Sequence, residues 1–144
     1  MNKINNILVT GGGGYIGSHI VEKLVKKNIN VFILDNLVTG FKRLVNKKAT
    51  FIKGDIFNTT KVKMIIIKNN IDSIIHLAAY LNVSEAEKYK QKYNQNNIKG
   101  TLKLMEACKN SMVRNIIFSS SCSIYGNVIG SVNERKKRLT ILKE

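Results

Sequence analysis

A chain of 144 residues, 44% of them hydrophobic, has the length and apolar material for one compact domain. The formal net charge of +15 invites a nucleic-acid partner. However, the lysines are scattered rather than striped, and the joint richness in Lys, Asn and Ile fits A/T-rich codons, so none is expected. No apolar run approaches the roughly 20 residues that span a bilayer, and no signal segment precedes the first apolar run, so a cytoplasmic protein without a membrane role is the expectation.

Residues 4–10 form a short apolar run ending in a glycine cluster, which predicts a buried strand entering a tight turn. From Tyr15 the apolar residues Ile16, Ile20, Leu24 and Val25 recur at helical spacing, with Glu22, Lys23, Lys26 and Lys27 on the other face. Residues 30–34 predict a second strand, stopped by Asp35-Asn36, and residues 50–52 a third, ending at Gly54-Asp55. A helix is predicted over 59–70 and a fourth strand over 72–79. A long helical region follows over 84–109, broken near 94–97. A fifth strand over 115–119 opens into Ser119-Ser120-Ser121. Strands alternating with helices predict right-handed crossovers and a parallel sheet covered on both faces. Cys108 and Cys122 form no C-x-x-C pair, so reduced thiols and no metal site are expected.

The most informative segment runs from Thr10 to His19. Gly11, Gly14 and Gly17 form G-x-x-G-x-x-G between a predicted strand and a predicted helix. Gly11 permits the tight turn, Gly14 lets backbone approach a pyrophosphate, and Gly17 permits close packing of helix on sheet. The helix N-terminus adds free N–H groups and a positive dipole end. Asp35, eighteen residues after Gly17, can accept from both adenosine ribose hydroxyls and repel a 2′-phosphate, which favours NAD over NADP. The plainer reading of Asp35-Asn36 is a turn pair. At the end of the fifth strand, serines either deliver hydroxyls into a ligand crevice or merely cap a turn. The expected fold class is α/β: a Rossmann-type doubly wound parallel sheet with helices on both faces, incomplete at the C-terminus. Residues 1–127 form the nucleotide-binding domain, and residues 128–144 a divergent basic tail.

The stretches TGGGGYIGSHIVEKLV, FILDNL, GDI, HLAA, NNIKGT and FSSSCSIYG occur in the order and approximate spacing of UDP-glucose 4-epimerases. The chain therefore resembles the NAD-dependent epimerase/dehydratase family of extended short-chain dehydrogenase/reductases, from about residue 4 to residue 127. The resemblance implies NAD as a tightly held cofactor and a UDP-sugar as substrate, oxidised transiently at C4 so that hydride returns to the other face. It implies a possible homodimer in the full-length family member. Carried over by position, Tyr15 and Ile16 would place backbone on the pyrophosphate, and Asp35 and Asn36 would hold the ribose. Asp55 and Ile56 would flank adenine, with the Asp55 carboxylate accepting from its amino group. Leu77, Ala78 and Ala79 would form a wall of small residues under the nicotinamide ribose, and Asn97 would contact the cofactor side. Ser121 would hydrogen-bond the sugar C4 oxygen, helped by Ser123.

Two departures bear on function. Leu81 stands where many family members carry lysine. The family's catalytic base, a tyrosine in Tyr-x-x-x-Lys with a pKa lowered by the lysine, has no counterpart in these 144 residues: Tyr89 leads to Tyr93, Tyr93 to Asn97 and Tyr125 to Ile129. The expectation is a truncated, frame-disrupted or split form, inactive in isolation. The alternatives are a non-catalytic dinucleotide-binding module and a fragment of a sugar-nucleotide dehydratase or reductase.

Overall fold

A computed structural model describes residues 5–126, 130–133 and 135. Five parallel strands form one sheet: β1 (Asn6–Thr10), β2 (Asn30–Asp35), β3 (Thr50–Lys53), β4 (Ser73–His76) and β5 (Asn115–Phe118), in the order β3-β2-β1-β4-β5. The chain winds outward from β1 through β2 to β3. It then returns to the other side of β1 for β4 and β5. The reversal lies between β1 and β4, where neighbouring loops leave in opposite directions and open a crevice.

The central strands β1, β2 and β4 are buried on both faces, and their alternating side chains feed two cores. Leu8, Leu34 and Ile74 point to one face, where α2 (Thr59–Lys68) and α5 (Thr101–Cys108) supply Val62, Ile65, Ile66, Leu104 and Ala107. Ile7, Val9, Val31, Ile33 and Ile75 point to the other, which α1 (Tyr15–Lys26) covers with Val21 and the partly buried Ile20, Leu24 and Val25. Each fully buried aliphatic side chain contributes about 1.5–3 kcal/mol. The predicted apolar stripe of α1 needs one correction. Ile16 is 54% exposed, and the buried face of α1 is Gly17 and Val21. Ile16 lies in the first turn, beyond the end of β1, so no sheet lies beneath it.

Asparagines end the first two helices. Asn28 (φ 57°) and Asn70 (φ 48°) take the left-handed conformation just past α1 and α2. The next amides, Ile29 and Ile71, reach back to the carbonyls of Leu24 and Ile66, the arrangement that closes a helix with a left-handed residue. The predicted 84–109 helix is divided into α3 (Val83–Lys88), α4 (Lys90–Tyr93), a π-helical turn (Asn94–Gly100) and α5. The break predicted near 94–97 is therefore a widening of the helix, not an interruption. The predicted fourth strand also shortens: it ends at His76, and 77–79 leave the sheet as a loop.

Candidate functional site

Strand register brings the predicted residues to one edge of the sheet. Thr10 pairs with Leu34 and His76, His76 with Phe118, and Asp35 with Lys53. Gly11, Asp35, Asp55, the 77–79 loop and Ser119–Ser121 therefore all lie at or just past the carboxyl ends of five adjacent strands, where open parallel sheets bind ligands.

The glycine turn divides its labour. Gly11 has φ 75°, and a Cβ there would lie 2.7 Å from the Ala78 nitrogen, so it lets the 77–79 loop approach as well as turning the chain. A Cβ on Gly17 would collide with the Gly11 carbonyl oxygen and sit 2.8 Å from Gly12 Cα, so helix and turn touch backbone to backbone. Gly14 differs. Its backbone is extended (φ −82°, ψ 174°), and within 4 Å a Cβ would meet only the Gly11 carbonyl oxygen, at 3.3 Å. The backbone conformation does not demand glycine there, and the close approach of the Gly11 carbonyl is far milder than the backbone overlap at Gly11 and Gly17. Bare backbone at a helix N-terminus is chemically suited to a pyrophosphate. Gly14 caps α1 with no side-chain hydrogen bond, and the first helical bond runs from Ser18 to Gly14, so the amides of Tyr15, Ile16 and Gly17 precede it. The Tyr15 side chain is 77% exposed and meets the His19 ring edge-on, which leaves backbone as the inward-facing part of this turn.

Asp35 is buried, and its carboxylate pins the turn. One oxygen accepts from the Gly13 amide at 2.8 Å, the other from the Leu37 amide at 2.8 Å. Asn36 repeats the pattern by accepting from Val38. The turn pair that the sequence offered as the plainer reading is thus present, as two successive side-chain turns. Leu37 is held at φ 62° between them, a strained conformation for a branched side chain. The Phe41 amide closes the loop onto the Gly13 carbonyl. Each Asp35 oxygen retains a second acceptor position.

Asn36 donates to Asp55 Oδ2 at 2.9 Å, while Asp55 Oδ1 accepts from the Phe57 amide. The ends of β2 and β3 are thereby joined through two predicted site residues. Ile56 turns inward: it is 4% exposed and packs beneath Gly100, so only its backbone borders the site. An open cleft of about 650 Å³ begins at Asp55 and continues along Phe57, Asn58, Tyr80, Lys92, Gln95 and Asn96.

Asn97 sits in the π-helical turn and grips the loop after β4 with both ends of its amide. Its Oδ1 accepts from the Tyr80 amide and its Nδ2 donates to the Tyr80 carbonyl, each at 2.9 Å. Such widened turns recur at functional sites because they re-aim one side chain. Ser121 is exposed beyond β5, and its carbonyl accepts from Ile124. The Ser123 side chain lies outside the described residues, as do residues 127–129, 134 and 136–144, most of the predicted basic tail. Leu81 is 78% exposed. Among the described residues no cluster of His, Cys, Asp or Glu could hold a metal ion, and no helix is long and apolar enough to cross a membrane.

Sequence reasoning missed the polar residues beneath this edge. Thr10 and His76 are buried, with Thr10 Oγ1 2.6 Å from His76 Nδ1 and Thr101 Oγ1 2.9 Å from His76 Nε2. Burial pushes the His76 imidazole down to about 4. The only signal was a histidine at the end of an otherwise apolar strand, which by itself does not reveal its partners.

Comparison with known proteins identifies the fold and the family. The UDP-glucose 4-epimerase of Lactobacillus helveticus is 44% identical over 120 residues, 83% of this chain and 36% of that protein. A Klebsiella pneumoniae UDP-glucose 4-epimerase sequence is 41% identical over 128 residues, 84% of this chain and 92% of that sequence. The crystal structure of UDP-glucose 4-epimerase from Brucella ovis in complex with NAD superposes with a TM-score of 0.87 at 36% identity, over 95% of this chain and 42% of that one. The chain thus spans about two fifths of the solved relative's length. The family model for NAD dependent epimerases and dehydratases matches residues 7–140, and the chain belongs to that family.

Proposed function

We propose that the chain binds NAD across the carboxyl ends of its five strands and serves the interconversion of UDP-glucose and UDP-galactose by a cytoplasmic 4-epimerase. The observation that carries this is the glycine turn. Gly14 leaves an open cradle at the N-terminus of α1 while Gly11 and Gly17 are filled by backbone, the division of roles a bound pyrophosphate requires. The backbone of Tyr15 and Ile16 would face the pyrophosphate. Asp35 and Asn36 would hold the adenosine ribose, and Asp55 the adenine amino group beside the Ile56 backbone. Leu77, Ala78 and Ala79 would line the nicotinamide ribose, and Asn97 would hold that wall. Ser121, with Ser123, would orient the sugar C4 oxygen. When bound, NAD supplies a reversible hydride acceptor for sugar C4. The structure of the Bifidobacterium longum UDP-glucose 4-epimerase, 30% identical with a TM-score of 0.86, is described as a complex with NAD+ and UDP, which supports the same pairing here. Residues 1–127 act as the nucleotide-binding unit, and the full-length protein as a homodimer.

Ser121 can orient a hydroxyl, but a serine without an activating base does not deprotonate one at neutral pH. The 144 residues contain no Tyr-x-x-x-Lys, so by themselves they are expected to bind cofactor without turning over UDP-galactose. Calorimetric titration with NAD and with NADP tests the cofactor reading. NAD should bind more tightly, because a 2′-phosphate would meet the Asp35 carboxylate. Asp35→Ala should weaken NAD binding by about 1–3 kcal/mol. Equal or tighter binding of NADP would overturn the assignment.

A further inference from the structure

The hydrogen bonds beneath the site have a definite direction. Thr101 Oγ1 lies 2.8 Å from the Asn97 carbonyl oxygen, which can only accept, so the Thr101 hydroxyl spends its one proton there. Thr101 Oγ1, 2.9 Å from His76 Nε2, must then accept from it. Nε2 therefore carries the ring proton. In the neutral ring Nδ1 is the acceptor, and the Thr10 hydroxyl, 2.6 Å away, donates to it. Thr10 Oγ1 in turn accepts from the Ala78 amide at 3.4 Å. One chain of donors runs from Ala78 N–H through Thr10, His76 and Thr101 to the Asn97 carbonyl. Burial of His76 keeps the ring neutral, as that direction requires.

The two ends of this chain lie in the 77–79 loop, which leads into Tyr80, and in the π-helical turn; Tyr80 on one side and Gln95 and Asn96 on the other line the cleft. The Thr101 amide donates to the Ile98 carbonyl, and the Thr101 hydroxyl links the Asn97 carbonyl one turn back to His76 on the sheet. Asn97 in turn clamps the Tyr80 backbone.

We propose that His76 is a positioning residue that locks the wall of the cleft after β4 to the π-helical turn bearing Asn97, by holding a one-directional hydrogen-bond chain from the Ala78 amide to the Asn97 carbonyl. Its effect on a ligand rests on the reading of this cleft as the dinucleotide site; the lock itself does not.

Nitrogen NMR of the 144-residue chain tests the direction without any substitution. A protonated Nε2 and bare Nδ1 are expected for His76 at neutral pH, and the opposite tautomer or a doubly protonated ring would overturn the proposal. Amide exchange and NAD titration then compare His76→Leu with His76→Gln, whose amide can accept from Thr10 and donate to Thr101. In His76→Leu the Tyr80 amide should exchange at least about tenfold faster while the Gly13 amide, held by Asp35, is unchanged, and NAD affinity should fall about tenfold. His76→Gln should recover both to within about threefold. Unchanged Tyr80 exchange in His76→Leu, or a uniform rise that includes Gly13, would overturn the lock. Should His76→Leu not fold, Thr101→Val removes the same link, and the same two amides decide. If the unsubstituted chain does not bind NAD, the cofactor reading fails, and the exchange pattern still tests the lock.

Discussion

Gly14 and Gly17 lie three residues apart in one motif and do opposite things. Gly17 is required by the protein itself, since its absent Cβ would overlap the Gly11 carbonyl. Gly17→Ala should therefore cost about 1–3 kcal/mol or more in unfolding free energy, measured by urea denaturation, whether or not ligand is present. On the proposed reading, Gly14 is kept bare for what approaches from outside. Gly14→Val should leave the far-ultraviolet circular dichroism of the chain intact and abolish NAD binding. Normal NAD binding by a folded Gly14→Val chain would remove the case for a phosphate cradle. His76 gives the residue scale a pH signature. Its folded pKa of about 4 lies below the ordinary value of 6.5, so between those values the unfolded chain binds a proton that the folded chain refuses. Stability is full above about pH 6.5 and declines as pH falls toward 4, by up to about 3 kcal/mol. His76→Gln should flatten that part of the stability-versus-pH curve, and a curve of unchanged slope would contradict the buried neutral ring.

At the scale of elements, side chains and backbone decide where each strand and helix stops. Asp72 shows how a loop residue starts a strand. Its carboxylate accepts from the amides of Asn5 and Asn6 at 2.9 and 3.1 Å, while its own amide donates to the Asn6 carbonyl. Burial raises the Asp72 carboxyl, but those amides, with Ser73 and the charge of Arg114, outweigh it and hold it below its usual value. A depressed acid stabilises the fold above its unfolded pKa and loses that contribution as pH falls through the folded one. Asp72→Asn should cost about 1 kcal/mol at neutral pH, the low end for a charged partner that is partly solvated, and almost nothing near pH 2. An equal cost at both pH values would mean that the charge is not what holds β1 to β4. The π-helical turn is the element whose identity was least legible in advance. Apolar spacing over 84–109 is helical throughout, and it carries no sign that Gly100 packs against Ile56 from another loop, whose Cδ1 would lie 3.0 Å from a Cβ there.

For the molecule as a whole, the sheet is unevenly finished. β1, β2 and β4 are flanked by strands and covered by helices, whereas β5 is an edge in which all four residues are exposed, Ile117 by 62% and Phe118 by 54%. An apolar edge with unpaired backbone groups is a template for pairing with another strand. The 144-residue chain should therefore associate with itself as concentration rises, and Ile117→Lys should suppress that in sedimentation experiments without loss of NAD binding. A monomeric chain at all concentrations would show that the edge is protected.

Much of this protein was legible in one dimension. The alternation of short apolar runs with helical periodicity implied a parallel α/β sheet, because strands buried on both faces need near-continuous apolar residues and crossover helices. The glycine spacing and Asp35 pointed to the carboxyl ends of the strands as the proposed nucleotide side, because both features are local: a turn, a missing side chain, and an acid at a strand end. What depended on tertiary structure is whatever involves two distant segments. The order β3-β2-β1-β4-β5 placed five strand ends side by side, and Asn36 beside Asp55. It buried Ile56 and exposed Ile16. It gave Asp35 a structural duty at Gly13 alongside its turn. It also assembled Thr10, His76 and Thr101, spread over some 90 residues, into one directed chain. Hydrogen-bond direction depends on which atoms end up within 3 Å of one another, and sequence periodicity carries no record of that.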